Sequence, residues 1–175
     1  MSVTVRVARP DEHELLGEIV VAAYRSLPGF DEPEYEPELR DVARRARQAV
    51  VLAAIEEDTG APIGCATYVP GPESPWAELL APGEAAVRML AVDPATRGKG
   101  AGTALAAACV ARARAEGRLR LVLHSLPIMG QAQRIYARLG FRRETARDWE
   151  PVPGIFLMCF VLDLAAEPPG AVPGP

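Results

Sequence analysis

The most informative segment of the 175-residue sequence reads Val92-Asp93-Pro94-Ala95-Thr96-Arg97-Gly98-Lys99-Gly100-Ala101-Gly102-Thr103. It lies between an apolar run at 85–92, typical of a strand, and an alanine-rich run at 101–116, typical of a helix. Its three glycines allow a tight turn that directs several backbone N–H groups to one point at the helix start. The helix dipole attracts anions there, so the segment predicts a phosphate or pyrophosphate loop to which Arg97 and Lys99 add charge.

Spacing separates three patterns that such a loop could follow. A Walker loop requires Ser or Thr directly after Gly-Lys, but here Gly100 follows Lys99. A dinucleotide-binding fingerprint requires glycine or alanine at its last position. That position is Thr103 if the motif starts at Gly98 and Leu105 if it starts at Gly100, so neither alignment fits. The pattern that matches is Arg-x-x-Gly-x-Gly over residues 97–102.

The rest of the sequence predicts a single α/β domain over residues 1–166, followed by a disordered tail at 167–175. Apolar periodicity and turn residues predict strands at 3–8, 50–55, 63–69, 85–92, 119–125 and 156–164, and helices at 11–26, 39–46, 101–116 and 130–139. Helices alternate with strands only in the second half, after an antiparallel hairpin. We therefore expect a mixed, mostly antiparallel sheet with one parallel pair and helices on both faces.

Composition excludes several classes of protein. Apolar residues make up 49% and charged residues 24% of the chain, with a net charge of −4, so a folded core is expected. No basic block is present, which argues against a nucleic-acid partner. The three cysteines form neither a disulfide framework nor a zinc pattern. We expect no metal, and since no leader or apolar run of membrane-spanning length occurs, we expect no membrane association and a cytoplasmic location.

Two further motifs extend the match beyond the glycine loop. Ala91-Val92-Asp93-Pro94 precedes the loop, and Ile135-Tyr136-Ala137-Arg138-Leu139-Gly140-Phe141 follows the next strand. With the loop they cover residues 85–145 and resemble the GNAT superfamily of coenzyme-A-dependent N-acetyltransferases. The order of elements along the whole chain agrees with this resemblance.

The resemblance implies that acetyl-CoA binds in a cleft where strands 85–92 and 119–125 splay apart. An amine of an unidentified small molecule or peptide would attack the thioester, a backbone N–H near Leu90 would stabilise the oxyanion, and Tyr136 would protonate the departing thiolate without a metal. Tyr136 must also pack in the core. The residues implied in cofactor binding are Leu90, Ala91 and Val92 for the pantetheine arm and Arg97, Gly98, Lys99, Gly100, Ala101, Gly102 and Thr103 for the pyrophosphate.

The general base is open, because water can also take the proton of the amine. The candidates are Glu84, at the start of its strand, and His124, near the end of the next. Each has a plainer interpretation, as a solvated carboxylate or as a hydrogen-bonded histidine in the fold. The sequence also departs from the family, since Met129 stands where many members carry the asparagine that contacts pantetheine.

Loops are expected to cover the acceptor. The acidic segment at 31–38 and the loop at 70–83 fall where family members place such loops, and a negative rim would attract a cationic amine, although a solvated loop fits as well. Tyr35, Trp76 and Trp149 either line this pocket or cover the core. The alternatives are a catalytically silent CoA-binding sensor or docking module and a transferase of longer acyl groups; a homodimer is compatible with the family.

Overall fold

A computed structural model of the protein describes residues 2–165, so the predicted tail at 167–175 lies outside the described residues. One seven-stranded sheet comprises β1 (Val3–Val7), β2 (Val50–Glu56), β3 (Pro62–Val69), β4 (Glu84–Val92), β5 (Arg120–Ser125), β6 (Arg142–Arg143) and β7 (Met158–Asp163). The helices are α1 (His13–Arg25), α2 (Glu36–Arg40), α3 (Val42–Gln48), α4 (Ala101–Ala115) and α5 (Gly130–Arg138).

The sheet is mixed, as the order of elements predicts. The strands lie in the order β1-β2-β3-β4-β5-β7-β6, and every neighbouring pair is antiparallel except β4 and β5. Helix α4 is the crossover between these two parallel strands. The short strand β6 was not predicted, and it adds an edge to the sheet beside β7.

The second predicted helix is two helices. The apolar periodicity at 39–46 suggested one continuous element, but the chain leaves helical geometry at Asp41, with φ −79° and ψ 65°. The Asp41 carboxylate accepts a 2.9 Å hydrogen bond from the N–H of Arg44 and so caps the start of α3. A polar cap therefore overrides the periodicity and turns the chain between α2 and α3.

Helices cover both faces of the sheet, and alternation along the strands explains why. In β2, Leu52 and Ala54 belong to the core under α4 and α5, whereas Val51 and Ala53 belong to the core under α1 and α3. Strands that are buried on both faces have continuous apolar sequences instead of alternating apolar and polar residues. The three cysteines are free and buried: Cys65, Cys109 and Cys159.

A β-bulge interrupts β4 in its second half. Cys65 of β3 pairs with Ala91 and Thr67 pairs with Arg88, so the single residue between the two β3 positions faces both Met89 and Leu90. Met89 adopts φ 50°, in the left-handed region that few side chains tolerate. Bulges bend a strand and increase its twist, and this one lies just beyond Val87, the last residue of β4 that pairs with β5.

The bulge also shifts which residues face each core. Ala85 and Val87 face α4 before the bulge, whereas Leu90 and Val92 face it afterwards. The β4 residues that face α4 thus have odd numbers before the bulge and even numbers after it. Because of this shift, the N–H and C=O groups at each edge of β4 after the bulge differ from those expected of a strand with regular alternation.

Candidate active site

The parallel pair separates in the middle of the sheet. Pairing between β4 and β5 ends at Val87 and Leu123, although β4 runs on to Val92 and β5 to Ser125. Beyond this point β4 pairs only with β3, and β5 pairs only with β7. Leu90 and the two residues after it therefore lie on a strand edge that borders a cleft. This is the expected place for a ligand in such a sheet.

The glycine loop follows directly from this open edge. After β4 the chain makes a 3₁₀ turn at Pro94–Thr96, held by the Asp93 carboxylate, which accepts a 2.9 Å hydrogen bond from the N–H of Ala95. Gly98 and Gly100 follow with φ 86° and 84°, and a Cβ at either would have no atom within 4 Å. These glycines supply left-handed backbone beside open space.

Helix α4 begins immediately after the loop, with Gly100 as its N-cap. The first N–H groups of a helix, here those of Ala101, Gly102 and Thr103, have no partner within the helix. They carry the positive end of the helix dipole, directly after the glycine loop. The backbone present therefore suits a diphosphate, which supplies the acceptor oxygens that these donors lack.

Gly102 has a different role from the other two glycines. Its backbone is helical, and an added Cβ would lie 3.2 Å from the Cδ1 atom of Ile135 in α5. A contact that short would force the neighbouring side chain to shift. Gly102 therefore allows α4 and α5 to pack closely, so only Gly98 and Gly100 are needed for the turn.

The two cations of the loop are not equivalent. The Lys99 Nζ atom lies 2.9 Å from a carboxylate oxygen of buried Glu56, and hydrogen bonds from Lys99 and Thr59 lower the pKa of that carboxyl. Lys99 thus ties the loop to β2, and its charge is already compensated. Arg97 is exposed, donates a hydrogen bond to the Ser26 hydroxyl, and has no carboxylate partner among residues 2–165. The positive charge that remains available at the loop is that of Arg97.

Tyr136 lies on α5 inside the core that also holds α4. Its ring is 7% exposed and packs against Phe141 and Phe160, with ring centroids 5.8 and 6.3 Å away. Burial raises the pKa of the phenol, so it keeps its proton at neutral pH. Its hydroxyl makes no hydrogen bond within the described part of the chain, which leaves that proton available for donation.

His124 lies where β4 and β5 part, one residue after the last pair, and lines a cavity of about 430 Å³. Its Nε2 atom is 3.3 Å from the carbonyl oxygen of Arg147. Because a carbonyl only accepts, Nε2 carries the proton of the neutral ring and Nδ1 keeps its lone pair. Burial is the main cause that lowers the pKa of His124, and it favours this neutral form.

Glu84 does not lie with the other candidates. It is the first residue of β4, roughly 20 Å along the strand from Leu90. Its carboxylate accepts hydrogen bonds of 2.9 and 2.8 Å from Arg147 and one of 2.9 Å from the N–H of Ala81. Burial alone would raise the pKa of Glu84, but these hydrogen bonds and the nearby positive charges outweigh it and lower the pKa. The carboxylate is engaged in holding the fold, and the structure does not bring it to the cleft.

Arg147 connects the two base candidates and was not recognised in the sequence. Its guanidinium binds Glu84 and the carbonyl oxygen of Leu79, while its own carbonyl holds His124. No motif marks it, because its partners are 63, 68 and 23 residues away in the chain. The ion pair at the start of β4 thereby fixes the segment that orients the histidine.

The cavity beside His124 is separate from the glycine loop, since none of residues 97–103 lines it. Its floor is β4 at 86–89, and α1, α2 and the loops after β5 and before β7 close around it. The lining residues are Tyr24, Phe30, Glu32, Glu34, Tyr35, Glu38, Glu78, Ala86, Val87, Arg88, Met89, Leu123, His124, Leu126, Met129, Pro151, Val152, Ile155 and Leu157. The predicted acidic segment thus contributes three carboxylates to this wall.

The sequence left open whether the three aromatic residues in loops line the pocket or cover the core. In the structure each of them has a different environment. Tyr35 lines the cavity. Trp76 is 4% exposed and packs between the guanidinium groups of Arg44 and Arg88, so it supports the wall from behind. Trp149 packs edge-on against His124, with ring centroids 6.3 Å apart.

The comparisons with known proteins agree with this architecture. The separated parallel pair, with a glycine loop at the start of the crossover helix, is the arrangement expected of a coenzyme-A-dependent acetyltransferase. Residues 16–141 match the profile of the Acetyltransferase (GNAT) family, and the chain belongs to this family. Family membership supports acetyl transfer as the class of reaction. No curated protein sequence matches the chain significantly.

Solved structures share the fold across almost the entire chain. An acetyltransferase of the GNAT family from Staphylococcus aureus Mu50 is 14% identical, with a TM-score of 0.73 over 93% of this chain and 99% of that one. YncA from Salmonella typhimurium, solved with its cofactor acetyl-CoA, is 20% identical, with a TM-score of 0.68 over 98% and 100%. A GCN5-related N-acetyltransferase from Kribbella flavida is 22% identical, with a TM-score of 0.64 over 93% and 98%. At these identities the similarity concerns the fold.

Residues 2–165 lack two further features. None of the helices there is both long and apolar enough to cross a bilayer. No three side chains of His, Cys, Asp or Glu in the same residues are grouped so that they could share a metal ion.

Proposed function

We propose that the protein transfers an acetyl group from acetyl-CoA to a primary amine. The observation that carries this proposal is the separation of β4 from β5 after Val87 and Leu123. Along β4 it leaves, in order, a cavity floor at 86–89, an open strand edge at 90–92 and the glycine loop at 97–103. In this proposal an acceptor site, a reaction centre and a donor site follow one another along β4 and the loop after it.

The donor is held mainly by backbone. The N–H groups at the start of α4, with the left-handed glycines 98 and 100, bind the diphosphate, and exposed Arg97 adds a charge. The open edge at Leu90, Ala91 and Val92 offers N–H and C=O groups to the pantetheine amides, as a neighbouring strand would. Lys99 positions the loop through Glu56 and contributes less to binding.

His124 and a backbone donor act on the reacting groups. The ring of His124 takes a proton from the acceptor ammonium at Nδ1, which leaves a neutral amine as the nucleophile. The N–H near Leu90 donates to the thioester carbonyl oxygen and stabilises the negative charge that develops on it. Glu84 supports this arrangement through Arg147 rather than by taking the proton itself.

Tyr136 completes the transfer on the donor side. As the new C–N bond forms and the C–S bond breaks, its phenol supplies the proton that converts the thiolate into a thiol. The tyrosinate recovers its proton from solvent. The nitrogen is positively charged once the C–N bond has formed, and it releases its second proton to water. With the first proton taken up by His124, the products are a neutral amide and a thiol, and one proton is released overall.

The test is release of free thiol from acetyl-CoA in the presence of a panel of amines, with Tyr136→Phe as the comparison variant. The proposal expects amine-dependent release that falls at least about tenfold in the variant, whose ring packing is preserved. Tight CoA binding with no thiol release on any amine would contradict it and favour the silent CoA-binding module. A parallel panel of longer acyl-CoA donors detects a preference beyond acetyl.

Location and assembly follow from the same proposal as expectations. Three buried free thiols favour a reducing compartment, and we place the reaction in the cytoplasm. A homodimer is expected from the resemblance, and size-exclusion chromatography coupled to light scattering checks it.

A further inference from the structure

The charges that line the acceptor cavity do not balance. Its lining residues include four glutamates, Glu32, Glu34, Glu38 and Glu78, and a single arginine, Arg88. If all are ionised, four negative charges and one positive charge leave a surplus of three. Burial raises the pKa of Glu78, and its protonation would still leave a surplus of two. The cavity is therefore suited to positive charge.

Arg88 is not available to an anionic group of a substrate. Its guanidinium lies 2.8 Å from Glu78 and 4.0 Å from Glu38, and it donates a 3.2 Å hydrogen bond to the carbonyl oxygen of Trp76. It also stacks on the Trp76 ring at 5.5 Å. By contrast, Glu32 and Glu34 have no ion-pair partner among residues 2–165, so their charges act on whatever enters the cavity.

The remaining lining is apolar or aromatic. Side chains from β5 and the flanking loops form an apolar band that includes Leu123, Met129 and Leu157. Opposite this band, Tyr24 packs edge-on against Phe30 and Tyr35, with centroids 5.4 and 6.2 Å away. Aromatic rings attract organic cations, while the apolar band suits a methylene or aryl spacer.

Acetyl transfer removes charge from the reacting nitrogen. The amine must lose its proton before it attacks, and the amide product is neutral, so unpaired carboxylates give no lasting stabilisation to that nitrogen. They do stabilise a second cation that stays charged throughout the reaction. We propose that the acceptor is an organic dication, in which an apolar spacer joins the reacting primary amine to a second positive group held near Glu32 and Glu34. This inference rests on the proposed acetyl transfer.

The decisive experiment compares three acceptors of equal length: 1,5-diaminopentane, pentylamine and 5-aminopentanoate. Their far ends are positive, neutral and negative, while the reacting amine is the same. We expect kcat/KM to be on the order of tenfold higher for the diamine than for pentylamine, and lowest for the amino acid, because several carboxylates act together. Spacers of three, four and six carbons extend the series.

Charge-neutral variants locate the effect. In the double variant Glu32→Gln/Glu34→Gln, the preference for diamine over monoamine should fall below about twofold. The matched control is Glu57→Gln/Asp58→Asn on the exposed β2–β3 turn, which removes the same charge elsewhere and should keep the preference. Raising the ionic strength should also lower the preference, since it screens exposed charges.

The outcomes separate the two proposals. Turnover of pentylamine or 5-aminopentanoate equal to that of the matching diamine at every spacer length would overturn the dication proposal while leaving acetyl transfer intact. Equal binding of the diamine and pentylamine, measured by calorimetry in the presence of CoA, would overturn it as well. No thiol release with any amine would overturn the proposed function, and the dication proposal with it.

Discussion

The donor half of the cleft is built from main chain, whereas the acceptor half is built from side chains. Gly98 and Gly100 shape the donor loop with almost no side-chain contribution, and the helix that follows supplies N–H groups that any sequence would have. The acceptor cavity depends on carboxylates, aromatic rings and a histidine that come from segments far apart in the chain. The two halves should therefore respond to different changes: the donor half to backbone strain and the acceptor half to charge.

The largest expected effect comes from the ion pair that supports the acceptor half. Arg147→Met should lower the free energy of unfolding by about 3 kcal/mol, because it removes the two hydrogen bonds that the buried Glu84 carboxylate accepts from Arg147 and leaves only the 3.6 Å ion pair with exposed Arg120. The double variant Arg147→Met/Glu84→Gln should recover much of the loss. Chemical denaturation measures both variants.

The pH dependence of that stability provides the control. In the native chain the lowered pKa of Glu84 contributes stability that is present above the ordinary pKa of 4.5 and is lost as the pH falls. In Arg147→Met the largest of the causes that lower this pKa is gone while burial, which raises it, remains, so the loss of stability at acid pH should be smaller than in the native chain. An unchanged pH dependence would show that Arg147 does not determine the state of Glu84.

Next in size is the loss of the base. His124→Gln should lower kcat/KM by about 100-fold and leave CoA affinity unaltered, because the residue lies on the acceptor side. Since its pKa is lowered from 6.5, the native enzyme should hold its rate above that pH and lose it below. The control is His13→Gln, which changes the other histidine of the chain, in α1. A pH profile that is the same in His124→Gln and in the native enzyme would assign the proton to water.

A smaller effect is expected from strain in the donor loop. Gly100→Val forces a β-branched side chain into φ 84° and directs it into the space for the diphosphate, so CoA affinity should fall about tenfold or more. Gly117→Val is the matched control, since Gly117 has φ 69° with equally free surroundings at the other end of α4. Calorimetry measures the affinity of each variant for CoA. Equal affinities of the two variants would contradict this expectation.

The smallest effects distinguish the loop cations. Arg97→Ala should weaken CoA binding by about fivefold at low salt and less at high salt, as expected for an exposed charge near a phosphate. Lys99→Ala should weaken it by about twofold, because Glu56 already compensates that charge. A larger effect of Lys99 than of Arg97 would place the diphosphate on the β2 side of the loop.

The difference between the donor half and the acceptor half also determines what the sequence could predict. The loop at 97–103 and the order of the main strands are local features, and the structure has the fold that they imply. The bulge at Met89 is not readable, because the residues from 85 to 92 form one apolar run whose change of face depends on β3. The break at Asp41 was likewise hidden by an apolar periodicity that continues across it.

The acceptor half depends on pairs that only folding creates. Glu84 looks like a loop carboxylate until Arg147, 63 residues later, is placed on it. Lys99 looks like a free cation until Glu56, 43 residues earlier, meets it. The sequence does not show which charged residues have an ion-pair partner. The net charge of a pocket can therefore be determined only from the structure.

The close approach of Gly102 to Ile135 links the start of α4 to the helix that carries Tyr136. Because Tyr136 is the next residue after Ile135, a side chain added at position 102 would press on the residue beside the one that carries the phenol. A larger residue at position 102 is therefore expected to require either a shift of the Ile135 side chain or a smaller residue at position 135.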